Sequence, residues 1–264
     1  MRDIVIVYPN DNWILQRLGD EIIRRQPHIR RFGHADPTIW HSGVLDHPGQ
    51  INYFINYAVM QRTTGGIDIG YFTHPEPDGE FYKKAKLVDL AICQSEKYTQ
   101  DLRGRGIPVV HISPGVDPGY TPRLRLAVVG SLAYGFRKGS DLLAAVERLP
   151  YVDLVVTNGN YRQEELPELY HSVDYTLITS RYEGGPMCLL ESLACGKKVI
   201  CPLDVGYAAE FRDRIIPYRN GDINSLIDVL TGLYHEKLQV SRAVEKHTWD
   251  NWHAAHMYVF NHIN

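Results

Sequence analysis

Glu183 and Glu191 stand with seven residues between them in the run EGGPMCLLE. A carboxylate accepts strong, charge-assisted hydrogen bonds from hydroxyls. Two at a fixed spacing therefore suit a ligand that carries hydroxyls at two separated points. The intervening residues offer a different chemistry. Gly184 and Gly185 let backbone amides approach a ligand closely. Pro186 is at home in the first turn of a helix, where its missing N–H is not needed. A helix starting there presents free N–H groups and partial positive charge, which suits a diphosphate. At 1.5 Å of rise per residue, Glu191 lies roughly 7–8 Å along that helix. The phosphates would take the helix end. The carboxylates, which would repel phosphate, would take hydroxyls on either side of it. A sugar-nucleotide has this layout, with hydroxyls on the transferred sugar and on the ribose.

Further candidates lie outside this run. Val128-Val129-Gly130 and then Arg137-Lys138-Gly139 read as a strand end followed by a cationic, glycine-bounded loop. His74 sits in FTHPEP, just after an apolar run, with Glu76 and Asp78 close behind. That trio reads as an acceptor-hydroxyl site, a metal group or a solvated turn. Asn160 and Tyr161 follow another strand-like run and are candidates to line a nucleotide base. The basic run Arg24, Arg25, His28, Arg30, Arg31 reads as a solvated helix end, with an anionic acceptor or a membrane surface as the functional alternative.

These residues need a scaffold, and the hydrophobic pattern supplies one. Short apolar runs alternate with helical stretches. In the first half, strands are expected at Ile4–Tyr8, Ile39–Val44, Ile67–Thr73, Leu90–Gln94 and Val109–Ile112. Helices are expected at Trp13–Arg25, Asn52–Gln61, Phe81–Leu87 and Lys97–Arg103. Near-continuous apolar strands in such an alternation imply a parallel sheet covered on both faces. The proline- and glycine-rich stretch Ser113–Arg123 breaks the pattern. The alternation then restarts from Leu126, and Gly196 closes the helix after EGGP as a plausible C-cap. The expected architecture is α/β, with two Rossmann-like domains facing a central cleft and the N-terminal one reduced. The expected domains are 1–120 with a helix at 248–264 packing back, and 121–247. Ligands in such sheets sit beyond the carboxyl ends of the strands.

The segment EGGPMCLLESLACGKKVICP resembles the signature of retaining GT-B glycosyltransferases of family GT4. That signature is a glutamate, seven residues and a second glutamate, then a small-residue helix, Gly-Lys and a short apolar strand. Val128-Val129-Gly130 with Arg137-Lys138-Gly139 resembles the family's phosphate loop. Ser113-Pro114-Gly115-Val116-Asp117 with Pro122 resembles its interdomain segment, and Thr248-Trp249-Asp250 its C-terminal helix. Ser131 stands where many members place an arginine. The resemblance covers Ser113 to the C-terminus; the first hundred residues match in architecture alone. It implies that Glu183 contacts the donor sugar and Glu191 the ribose. The backbone of Gly184, Gly185, Pro186, Met187, Cys188 and Leu189 would hold sugar and phosphates. Arg137 and Lys138 would hold the diphosphate, and His74 would lie near the reacting sugar. The implied reaction moves a hexose from a UDP- or GDP-sugar to an acceptor hydroxyl, with retention and without a metal. The acceptor is a glycan, lipid, small molecule, protein or modified DNA. A donor-binding protein without transfer activity, or an epimerase or hydrolase on the same fold, is the alternative.

Composition narrows the partners. The 264 residues include 44% hydrophobic and 22% charged side chains, ordinary values for a globular chain. The net charge of −3 lacks the basic excess of a dedicated nucleic-acid binder. Cys93, Cys188, Cys195 and Cys201 sit in apolar stretches without metal-ligand spacing, and read as reduced core thiols. The chain opens directly on a strand pattern, and no apolar run approaches the roughly 18–20 residues that span a bilayer. The expected location is cytoplasmic, with peripheral membrane contact as a further option.

Overall fold

The computed structural model describes residues 2–10, 13–33, 46–132 and 135–264. The chain divides into two compact units, residues 1–119 with 244–264 and residues 120–243.

The first unit is built on strands β1 (Ile4–Val7), β2 (Arg30–Phe32), β3 (Ile51–Phe54), β4 (Ile67–Phe72), β5 (Leu90–Cys93) and β6 (Val109–His111). They form one parallel sheet in the order β2-β1-β3-β4-β5-β6. Helices α1 (Ile14–Ile23), α2 (Glu80–Ala85) and α3 (Glu96–Gly104) connect strands. Strand alternation sorts the core into two layers. Ile4, Ile6, Tyr53, Ile69 and Tyr71 bury one face with Leu18 and Ile22 of α1. Val5, Val7, Phe54 and Phe72 bury the other with Phe81 of α2 and Leu102 of α3.

Two sequence expectations fail in this unit. The segment expected as a helix over Asn52–Gln61 is instead strand β3 followed by a single 3₁₀ turn, Tyr57–Val59. All four β3 residues are buried between β1 and β4, a two-sided burial that an amphipathic helix cannot satisfy. Asn52 survives inside because its amide side chain bonds Gly49 and Thr64. The basic run is not a solvated helix end throughout. Arg30 and Arg31 lie on β2, paired in register with Val5 and Ile6. The strand expected at Ile39–Val44 falls outside the described residues.

The second unit carries β7 (Leu124–Val128), β8 (Val152–Val156), β9 (Tyr175–Leu177), β10 (Val199–Ile200) and β11 (Ile215–Ile216), parallel in the order β11-β10-β9-β7-β8. Its helices are α4 (Ser140–Val146), α5 (Leu166–Ser172), α6 (Met187–Ala194) and α7 (Ile223–Arg242). Pro167 occupies the first turn of α5, and Asp222 caps α7 by accepting from the Ser225 amide. From β7 the chain steps to β8 on one side, then returns to β9 on the other. The carboxyl ends of β7 and β9 therefore flank a topological switch point, the place where such sheets hold ligands. Two parallel, helix-covered sheets of this kind make the protein a pair of Rossmann-like domains, the composition of a GT-B fold.

The last helix, α8 (Trp249–His262), belongs to the first unit. Trp252 is fully buried against the α1 layer, donates to the Leu18 carbonyl at 3.3 Å and meets Tyr71 edge-on. His256, one turn on, is completely buried. Its Nδ1 lies 2.8 Å from the Trp252 carbonyl and its Nε2 2.9 Å from the Tyr53 hydroxyl. These partners fit a neutral ring with the proton on Nδ1, and burial pushes its pKa down to about 3. Among the described residues no helix is long and apolar enough to cross a membrane.

Candidate functional site

The second unit's site grows from the carboxyl ends of β7 and β9. After β7, the Gly130 amide donates to the Thr157 hydroxyl and the Leu132 amide to the Asn158 side chain, which pins the loop to the end of β8. The chain then passes through a 3₁₀ turn, Gly135–Lys138, and enters α4 through Gly139. Gly139 has φ of +72°, and a Cβ there would collide with the carbonyl oxygen of Thr179. Only glycine lets the cationic loop lie this close to the end of β9. The Thr179 hydroxyl in turn donates to the Lys138 carbonyl at 2.7 Å.

Arg181 fastens the same two loops from the other side. Its guanidinium binds Asp141 through two bonds of 2.8 Å, donates to the Phe136 carbonyl and stacks 3.8 Å from the Phe136 ring. A planar fork suits this bidentate and stacked arrangement. Held in this way, Arg137 and Lys138 converge on Glu183. Lys138 Nζ bonds Glu183 Oε1, Arg137 Nη1 approaches Oε2 at 3.4 Å, and the Ser180 hydroxyl donates to Oε1 at 3.0 Å. Burial of Glu183 raises its pKa. The Lys138 and Ser180 hydrogen bonds and the two positive charges outweigh that effect and hold the carboxyl below its usual range. Glu183 is thus an anion at neutral pH.

Gly184 and Gly185 follow, and they are not equivalent. A Cβ on Gly185 would run into the ring of Tyr207, whose hydroxyl donates to the Pro186 carbonyl at 2.8 Å. A Cβ on Gly184 would meet nothing within 4 Å. Gly185 is therefore needed for packing, and Gly184 presents backbone to open space. Pro186 then leads into α6 with no side-chain cap on its first amides. Met187 is exposed, Cys188 is partly covered with its thiol pushed up to about 12 by burial, and Leu189 is in the core. Gly130, Ser131, Lys138, Ser180, Glu183, Pro186 and Cys188 line a small cavity of about 30 Å³.

Glu191, one turn and more into α6, is held differently. Tyr170 of α5 donates to Oε2 at 2.7 Å, and Gln163 to Oε1 at 3.2 Å. Both partners are neutral, and no cation is bonded to Glu191 among these contacts. Tyr161, two residues before Gln163, is exposed at the end of the β8 loop. The structure thus gathers Arg137, Lys138 and Glu183 into one cluster and sets Glu191 beside Tyr170. Sequence reasoning missed Tyr170, Gln163, Arg181 and Tyr207. Tyr170 and Glu191 are 21 residues apart and Arg181 and Asp141 40 apart, spacings that no local pattern reports.

His74 lies in the first unit, beyond the carboxyl end of β4. Its Nε2 is 3.0 Å from Glu76 Oε1, and its carbonyl accepts from the Tyr57 hydroxyl. It borders a cavity of about 420 Å³ with Trp13, Leu15, Leu18, Asn56, Tyr57 and Gln94. Asp78 faces the Glu80 amide instead, at 2.9 Å. Among the described residues no group of three or more His, Cys, Asp or Glu side chains is placed to hold a metal ion.

Residues 120–242 match the family model described as Glycosyl transferases group 1. No curated protein matches the chain. Among solved structures it is similar to HepE (Alr3699) of Anabaena in complex with UDP, at 12% identity, covering 99% of this chain and 100% of that one, with a TM-score of 0.42. It is also similar to the lipopolysaccharide outer core galactosyltransferase WaaB in its apo form, at 14% identity, 96% of each chain and a TM-score of 0.39. Sucrose-phosphate synthase from Thermosynechococcus elongatus gives 12% identity, 99% and 98% coverage and a TM-score of 0.37. The class that the two parallel sheets and the family match define is a glycosyltransferase of the GT-B fold. The match to glycosyl transferases group 1 lies within the second unit.

Proposed function

We propose that this chain transfers a hexose from a nucleoside-diphosphate sugar to an acceptor hydroxyl with retention of configuration, as a member of family GT4. The observation that carries this reading is the cluster at the β7/β9 switch point. It combines two cations on a glycine-locked loop, an ionised Glu183, and an uncapped helix N-terminus behind Gly184. Lys138, Arg137 and the first amides of α6 stabilise the charge that develops on the leaving diphosphate. Glu183 accepts from hydroxyls of the transferred sugar. Glu191, oriented by Tyr170 and Gln163, accepts from the ribose, and Tyr161 is assigned to the base. His74, with Glu76 behind it, is assigned to the acceptor hydroxyl. The described residues offer no side chain in the cluster suited to form a covalent glycosyl intermediate apart from the cation-bound Glu183. We therefore favour attack on the face from which the diphosphate departs, with the leaving phosphate accepting the proton. UDP or GDP is the expected carrier, and the expected setting is cytoplasmic, with peripheral membrane contact as a further option.

The test is turnover. Purified protein incubated with UDP-, GDP- and ADP-sugars, with and without hydroxyl acceptors, should release the nucleoside diphosphate from one of them. Release from none would end the transferase reading. The anomeric configuration of the product, read by NMR, decides retention. A donor that raises the melting temperature names the base.

A further inference from the structure

Lys138 and Arg137, the two cations assigned to the donor diphosphate, are already engaged by an anion of the chain itself. Glu183 Oε1 bonds Lys138 Nζ, and Oε2 lies 3.4 Å from Arg137 Nη1. Glu183 and Lys138 are both mostly covered, at 15% and 21% side-chain exposure, so neither is simply neutralised by water. Lys138, Ser180 and Glu183 also line a small cavity of about 30 Å³. A diphosphate that binds Lys138 and Arg137 competes with the Glu183 carboxylate for the same two cations.

We propose that Glu183 is a built-in competitor of the diphosphate, and so the residue that makes this site discriminate an intact sugar-nucleotide from a free nucleoside diphosphate. The inference rests on the donor-site reading above. A free diphosphate that takes Lys138 and Arg137 leaves Glu183 half-buried, with the Ser180 hydroxyl as its remaining partner of the three described. An ionised group stripped of its partners in such a place is costly. A sugar-nucleotide brings its own compensation, because the hydroxyls of the attached sugar replace the cations as donors to Glu183. The site then favours substrate over the product that has lost its sugar, and product leaves as the ion cluster re-forms. Charge ordering supports the exchange. Hydrogen bonds and the two cations overcome burial to keep Glu183 ionised, so it competes with phosphate as a full anion.

Binding of inorganic pyrophosphate, UDP, GDP and ADP, and of the corresponding glucose conjugates, is measured by calorimetry for the wild type and for Glu183→Gln. Removing the competing charge should tighten pyrophosphate and the cognate nucleoside diphosphate on the order of tenfold. It should erase the preference for the sugar conjugate. Unchanged or weaker pyrophosphate binding by a folded Glu183→Gln, while the wild type binds a sugar conjugate, overturns the competitor role and leaves the donor site standing. Binding of no probe by either protein overturns the donor-site reading and the competitor role with it. If Glu183→Gln fails to fold, Glu183→Ala, which also removes the charge, carries the same test. A gain in pyrophosphate affinity supports the role, and no gain overturns it.

Discussion

The two units place comparable ground at the carboxyl ends of their strands and furnish it in opposite ways. In the second unit, the ends of β7 and β9 carry a closed set of charges. Lys138, Arg137, Glu183, Arg181 and Asp141 each have a named ionic partner, and Gly139 and Gly185 are locked by contacts a side chain would destroy. In the first unit, the ground beyond β1, β3 and β4 is a cavity of about 420 Å³ with aliphatic and aromatic walls. Its ionisable pair, His74 and Glu76, is largely exposed. The contrast is one of preorganisation. A diphosphate offers fixed charge and fixed geometry, and fixed cations suit it. A hydroxyl acceptor offers neither, and a roomy, weakly charged cavity can accommodate it.

The comparison is broken most severely by removing charge from the second unit. Lys138→Ala is expected to lower kcat by roughly 10²–10³-fold with little change in melting temperature. A loss confined to stability would show that Lys138 is only a structural partner of Glu183. Glu183→Ala should likewise abolish measurable transfer; undiminished transfer would remove its assigned role. On the first unit's side the expected loss is smaller. His74→Ala should reduce kcat by roughly 10²-fold while leaving donor affinity unchanged, and an equal loss of donor binding would contradict its assignment to the acceptor.

The paired glycines sharpen the contrast within one loop. Gly185→Ala drives a methyl group into the Tyr207 ring and should cost about 1–3 kcal/mol of stability. Gly184→Ala has open space and should change stability by less than about 0.5 kcal/mol, yet weaken the donor. Chemical denaturation and donor titration of the two variants read both effects. Equal destabilisation by both would refute the packing argument.

The first unit adds a pH slope to the contrast. The pKa of His256 falls from an unfolded value near 6.5 to about 3 in the fold. Its neutral form is the one the core accepts. The stability it supports is full above pH 6.5 and is lost as pH falls towards 3, by up to about 1.4 kcal/mol per pH unit. Melting temperatures between pH 7 and 4 should fall less steeply for His256→Gln than for the wild type; parallel curves would exclude His256 as a source.

Much of this was legible along the chain because it is local. The strand of buried Ile and Val at Ile4–Val7, the proline in the first turn of α5 and the run from Glu183 to Glu191 each announce themselves within a few residues. Asn52–Gln61 was misread because Tyr53, Tyr57 and Met60 fit a helical spacing. What makes Ile51–Phe54 a strand is burial on both faces between β1 and β4, a property of the sheet rather than of the segment. Residue types alone assigned the two glutamates to hydroxyls and away from phosphate; they gave no sign that Glu183 pairs with Lys138 and Arg137.

The sequence by itself determined the chemistry on offer: two carboxylates at fixed spacing, a pair of glycines before a helix and a cationic loop. Tertiary structure decided which groups meet. It brought Lys138 and Arg137, some 45 residues upstream, onto Glu183, and Tyr170 onto Glu191. It also distinguished Gly185, pressed against Tyr207, from Gly184, which is open. The reason is physical. Ion pairs and close packing depend on distance in space, and distance in space across a parallel sheet is set by strand order rather than by separation along the chain.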